Sequence, residues 1–239
     1  MSQNFELMLR SRHHELLRPR LGPRFRAVAR RYAPLDGCGS DAIRPLVQRL
    51  FLSPRVRPGH RRVVFAGADA ATGSASVCMR TARALAASAA GTVCAVDLNL
   101  SSPSMHHAFG VPLAPGVANL VEHAAGCVET REIAPGLALL PAGCDSRGRD
   151  GALTPDGVSA LFDELGEVFD WVLADLGQIE PGSAASAVTS RADGVVLVVR
   201  ACGTRRDMAL QAKQAIATSG GRLLGTVLTD HTAPDEVPT

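Results

Sequence analysis

The chain has 239 residues, of which 46% are hydrophobic and 4% aromatic, and its formal net charge is +2. That length suits one α/β domain with an N-terminal extension, and the apolar fraction is enough for a sizeable core filled by Val, Leu and Ala. The near-zero charge gives no nucleic-acid signal, no apolar run approaches the ~20 residues of a membrane span, and the first residues lack an apolar signal core, so a soluble protein is expected.

The six cysteines, Cys38, Cys78, Cys94, Cys127, Cys144 and Cys202, are scattered, with no Cys-x-x-Cys pair. Cys78 and Cys94 read as small core residues, and the pattern suits a reducing cytoplasm better than a disulfide framework. Residues 1–60 form a basic N-terminal arm, with Arg10, Arg12, Arg18, Arg20, Arg24, Arg26, Arg30 and Arg31 against few acids and with recurrent prolines. A solvated arm and an arm that touches anionic lipid or an acidic partner both fit that composition. A short helix is expected over Asn4 to Leu17. A second, amphipathic helix is expected over Asp41 to Phe51, where Ile43, Leu46, Val47, Leu50 and Phe51 recur at helical spacing.

From Arg61 the pattern becomes regular. Val63–Ala66 is an expected strand, followed by a glycine-containing turn and an Ala-rich helix over Ala75–Ala89. Thr92–Asp97 is a strand ending on an acid. Short helices are expected near Ser104–Phe109 and Gly116–His123, then a strand over Leu137–Pro141. A helix over Thr154–Val168 has Thr154 and Asp156 to cap its start. Asp170–Asp175 is a strand that again ends on an acid, and Ala184–Ser190 is helical. Strand Gly194–Val199, helix Arg205–Ser219 and strand Arg222–Leu228 complete the chain. Alternating strands and helices predict a doubly wound, mostly parallel α/β sheet over residues 61–239.

Ligands of such sheets bind beyond the carboxyl ends of the strands, and three strand ends carry informative residues. The first is the loop from Gly67 to Ser76. A phosphate-binding loop needs glycines and a helix N-terminus, a lysine for the β and γ phosphates, and a Ser or Thr for magnesium. Gly73 stands where the last glycine belongs, but the next two positions are Ser74 and Ala75, and Ser76 comes one position late for the metal-binding hydroxyl. A generic strand-to-helix turn has the same pattern. The other two ends are Asp97 and Asp175, each closing an apolar strand. A carboxylate there serves a magnesium water shell or positions the attacking group; a turn-forming Asp is the plainer alternative. Two such acids, in this order after the loop, favour a nucleotide-site origin.

With these residues the chain resembles the bacterial protein-tyrosine kinases, the cytoplasmic P-loop domains of polysaccharide co-polymerases, which are related to the Min/Par class of ATPases. The best-matched segment is Asp97 to Val111. The family reads Asp-x-Asp-Leu-Arg-x-Pro there, then a His, a Phe and Gly-Leu. Asp97, Leu100, Pro103, His106 or His107, and Phe109 match, while Asn99 replaces the second acid and Ser101 the arginine. Gly116 to Leu120, Ala192 to Ala201, Thr204 to Asp207 and Leu224 to Leu228 match further in order.

The resemblance implies a P-loop NTPase-like fold of Min/Par type. The remnant nucleotide site would comprise Gly67, Gly73, Ser74, Ala75, Ser76, Asp97, Asn99 and Asp175, with ATP or ADP and magnesium as its ligands. Asp97 and Asp175 would hold the metal if magnesium is retained. The implied partner is an inner-membrane polysaccharide co-polymerase of the chain-length-determinant type, which would place the protein in the cytoplasm, peripheral at the inner membrane. The family's N-terminal Glu-x-x-Arg-x-x-Arg helix packs subunits into a ring; Asp41-x-x-Arg44 matches part of it, so a homo-oligomer is an expectation of the same kind.

The departures at Ser74, Ala75 and Asn99 argue against catalysis, because losing a cation and a metal ligand together costs on the order of 10²–10⁴-fold in rate. The family's kinases also autophosphorylate a tyrosine-rich tail, and the one tyrosine here is Tyr32. Three readings follow: a pseudo-kinase in exopolysaccharide, capsule or holdfast assembly; an atypical active ATPase or kinase using Ser74, Ser76, Asp97 and Asp175; and a Min/Par-like positioning protein. Metal binding at His13-His14 or His106-His107 is not expected, because adjacent helical side chains point about 100° apart. The stretch Asp145 to Asp150 reads as a solvated loop, and Trp171 as core or a subunit-facing residue.

Overall fold

The computed structural model describes residues 25–29, 40–52, 62–88, 90–122, 128–144, 153–180 and 185–230. The expected helix over 4–17, His13-His14, and the loop over 145–150 lie outside them. The sheet comprises β1 (Phe25–Ala29), β2 (Arg62–Gly67), β3 (Val93–Asp97), β4 (Val128–Ala134), β5 (Leu137–Leu140), β6 (Trp171–Gln178), β7 (Gly194–Arg200) and β8 (Leu223–Thr229). The helices are α1 (Ser40–Val47), α2 (Ser74–Ala87), α3 (Met105–Phe109), α4 (Val117–Glu122), α5 (Pro155–Val168), α6 (Ala185–Arg191) and α7 (Arg206–Thr218). The strands lie in the order β1-β4-β5-β3-β6-β2-β7-β8. Every pair is parallel except β4 with β5.

Successive β2 residues explain why both faces must be covered. Val64 and Ala66 join one core with Phe162 and Leu165 of α5, Val188 of α6 and Ile216 of α7. Val63 and Phe65 join the other, with Val77, Cys78 and Leu85 of α2 and Ile43, Val47 and Phe51 of the α1 region. A parallel strand buried on both sides reads as a continuous apolar run, and β2, β3 and β7 do so. Cys78 and Cys94 are buried free thiols, as the sequence predicted.

The N-terminal helix covers the expected range, Asp41 to Phe51, but not as one regular α-helix. Pro45 has no N–H to give, and after Val47 the chain widens into a π-type turn, Gln48–Leu52. Phe51 on that turn meets the ring of Trp171 edge-on at 5.4 Å, and the Trp171 Nε1–H donates to the Ala90 carbonyl at 3.0 Å. Trp171 is thereby committed to joining the arm helix to the sheet. Two strands were not anticipated: β1, inside the arginine-rich arm, and β4, which pairs with it.

No helix among the described residues is long and apolar enough to cross a membrane. The start of α5 is set as predicted: Thr154 Oγ1 accepts from the Gly157 N–H at 3.1 Å, with Pro155 in the first turn. Thr154→Ala removes that cap and is expected to cost about 1 kcal/mol in chemical denaturation, with an unchanged m-value.

Candidate functional site: the cleft over β2, β3 and β6

The chain passes from β2 to β3 and later returns β6 between them, so the carboxyl ends of these three strands open onto one crevice. Asp97 of β3 and Asp175 of β6 are direct register partners, and Phe65 of β2 stands opposite Asp175. The strand carrying Asp175 runs three residues beyond it, to Gln178, so this acid does not close its strand as the sequence suggested. The ladder with β2 slips past Leu176, and Gly177 takes φ 71°. A Cβ at Gly177 would lie 2.5 Å from Asn99 Nδ2, so only glycine admits both the left-handed backbone and the Asn99 side chain.

The two acids have different surroundings. Asp97 accepts from the backbone N–H groups of Asn99 at 3.2 Å, Ser104 at 3.1 Å and Met105 at 3.1 Å. It closes the turn after β3 and ties down the start of α3. Burial raises its pKa to about 6, against the pull of those three N–H groups. Asp175 is fully buried, and neither carboxylate oxygen has a partner in hydrogen-bonding geometry among the described residues. Burial raises its pKa to about 7; the nearby Ser74 hydroxyl lowers it, the Asp97 charge raises it and the Gly177 N–H lowers it. Asn99 fills a turn: its Oδ1 accepts from the Ser102 N–H at 3.1 Å.

The loop between β2 and α2 follows the expected path. Gly73 has φ 74° and ψ 31°, and its carbonyl accepts from the Val77 N–H at 3.1 Å. Gly67 is needed for close approach, because a Cβ there would collide with Thr72 Oγ1 and the Asp69 carbonyl. Sequence reasoning did not single out the residue that organises this loop. Asp69 Oδ1 accepts from the Ala71 N–H at 2.9 Å, and its Oδ2 accepts from Thr204 Oγ1 at 2.6 Å. Thr229 Oγ1 donates to the Thr72 carbonyl at 2.9 Å. A backbone N–H of the kind that would cradle phosphate is therefore held by the protein's own carboxylate. An Asp followed two residues later by a small residue is an Asx-turn signal, visible in the sequence in retrospect.

The cleft has a volume of about 690 Å³ and brings Asp69, Gly73, Ser74, Ala75, Asn99 and Asp175 together. No Lys or Arg is among the described residues that line it. Asp97 and Gly67 are buried beneath it. Ser76 is exposed and lines a separate groove with Ile43, Arg49 and Leu228. Ser74 and Ser76 are two positions apart on α2, about 200° around the helix, which is why they face different spaces. His106 and His107 place their rings 3.8 Å apart, and no group of three or more metal-ligating side chains occurs among the described residues.

Solved structures share this fold. The kinase domain of Escherichia coli tyrosine kinase ETK superposes with a TM-score of 0.71 at 17% identity, covering 84% of this chain and 80% of that one. The chimerical protein CapA2B2 gives 0.70 at 21% identity over 78% and 82%. The Mg-ADP complex of septum site-determining protein MinD from Pyrococcus horikoshii gives 0.60 at 18% identity over 74% of each chain. The fold is thus that of bacterial tyrosine-kinase domains and Min-type P-loop proteins. No family model and no curated protein matches the sequence.

Both acids bind protons more tightly folded than unfolded, since about 6 and about 7 lie above an ordinary aspartate. Their contribution is complete below about pH 4 and is lost as pH rises through 6 and 7, by an amount on the order of several kcal/mol. Thermal melts between pH 5 and 8 should show the wild type losing stability, and Asp175→Asn should flatten that loss and melt higher than wild type at pH 8. A wild-type melting temperature that climbs across this range would contradict the assignment.

Proposed function

We propose that this chain is a degenerate, pseudo-kinase member of the bacterial tyrosine-kinase-like proteins. In this reading it acts in the production or export of an exopolysaccharide, capsule or holdfast-type polymer as the cytoplasmic partner of an inner-membrane co-polymerase, which holds it at the membrane. The observation that carries the reading is the chemistry of the cleft. A triphosphate carries several negative charges, and the described residues around this cleft offer it no Lys or Arg. The Ala71 N–H is taken by Asp69. Ala75 has no hydroxyl for a metal, and Asp97 is buried and already accepts three backbone N–H groups. Magnesium and ATP therefore do not fit the residues present, and no phosphoryl-transfer step is routed through them.

Phosphoryl transfer depends almost wholly on positioning and on stabilising charge, so these losses together are expected to lower any turnover by 10²–10⁴-fold or more, about 3–5 kcal/mol. The fold, by contrast, is retained, with both cores filled. A maintained scaffold around a dismantled phosphate site supports a binding role. The atypical-enzyme reading needs Ser74 and Ser76 in one site, and they face different spaces.

The test is gene deletion followed by complementation, with secreted polysaccharide as the readout. Deletion should reduce polymer, and Ser74→Ala, which keeps the Asp175 carboxylate, should restore it. Asp97→Ala is unsuited, because it would leave three backbone N–H groups unpaired. Failure of a folded Ser74→Ala protein to restore polymer would show that this hydroxyl is still needed and would overturn the reading of a dismantled site.

A further inference from the structure

We infer that the cleft beside Ser74 receives a primary ammonium group, from a lysine side chain of a partner protein or from a free aliphatic amine, with Asp175 as its counter-ion. The inference rests on the reading above, in that phosphate must not occupy the same space. Two independent observations carry it. Both Asp175 oxygens are buried without a partner in hydrogen-bonding geometry, which a folded protein tolerates rarely and at a cost. The same carboxylate lines a cleft large enough for a ligand, among described residues that include no Lys or Arg. The cleft therefore presents an unpartnered carboxyl group and, among the described residues, no Lys or Arg to meet it.

The donor pattern favours an ammonium over the other cations. Its three N–H bonds match three acceptors: the two oxygens of Asp175 and the Ser74 hydroxyl, which lines the same cleft. Magnesium keeps an octahedral shell of oxygens and dehydrates reluctantly. Asp97, the obvious second carboxylate, is buried and already accepts three backbone N–H groups, which leaves it poorly placed to complete such a shell. A guanidinium is a wide planar fork suited to a carboxylate it can meet edge-on, whereas Asp175 is fully buried. The approach is lined by Leu98, Leu100, Leu153 and Leu176, which suits the methylene stem that carries a lysine ammonium.

The experiment measures binding to the full chain at pH 8 by calorimetry and thermal shift. The probes are n-butylamine and a blocked Gly-Lys-Gly peptide, with n-butanol and the Nε-acetylated peptide as neutral controls. The expected result is saturable binding of at least one amine probe, no binding of the controls, and at least tenfold weaker binding to Asp175→Asn. Binding of the peptide alone assigns a partner's side chain, and binding of butylamine alone assigns a free amine. A second variant supplies the ammonium in cis: Ser74→Lys should melt several degrees above wild type and should no longer bind either probe. Amine binding undiminished in Asp175→Asn, or no saturable binding of either amine, overturns the inference. ATP with magnesium, titrated into the same wild-type samples, reads the earlier assignment separately. Tight ATP binding would retract the pseudo-kinase reading, whereas failure of the amines alone would leave it standing.

Discussion

Asp97 and Asp175 stand directly opposite each other on adjacent parallel strands, and both are fully removed from water. Burying two carboxylates at neighbouring positions is costly unless each is charged and paired or is neutralised. The chain resolves the first by turning three backbone N–H groups onto Asp97, and this fixes the turn after β3 and the start of α3. It leaves the second unresolved. The turn after β3, the glycine bulge in β6 and the Asn99 side chain all lie around this pair.

The loop above the acids is likewise held by internal contacts. In a phosphate-binding loop the N–H groups wait for an anion. Here Asp69 supplies the anion, and Thr204 and Thr229 tie the loop to β7–α7 and β8. The loop therefore keeps its shape without a ligand. A carboxylate at this point also adds charge of the sign that repels a nucleotide. The strand-loop-helix geometry of a phosphate site is thus combined with electrostatics of the opposite sign.

Much of this was legible in the sequence, for physical reasons. Strands β2, β3 and β7, and β6 as far as Asp175, are buried on both faces and read as apolar runs, and α5 announces itself with Thr154 and Pro155. The acids at 97 and 175 were recognisable because an apolar run stops on them. β4, Val-Glu-Thr-Arg-Glu-Ile-Ala, mixes charge with apolar residues and borders an antiparallel turn, so its composition resembles a loop until its partners are known. β1 lies in an arginine-rich arm, and its pairing with β4 spans about a hundred residues of chain. Asp69 could be read as a turn residue, but its second bond reaches Thr204, 135 positions away, which no local pattern encodes. That Ser74 and Ser76 face different spaces was available from helical geometry alone.

The central proposal is that this P-loop-type fold carries a cleft that does not accept nucleotide. Amide chemical shifts of Gly73, Ser74, Asn99 and Gly177, followed by NMR as ATP and magnesium are added, address it most directly. The account predicts shifts that stay put up to millimolar nucleotide. Saturable, magnesium-dependent movement of those four amides would contradict it.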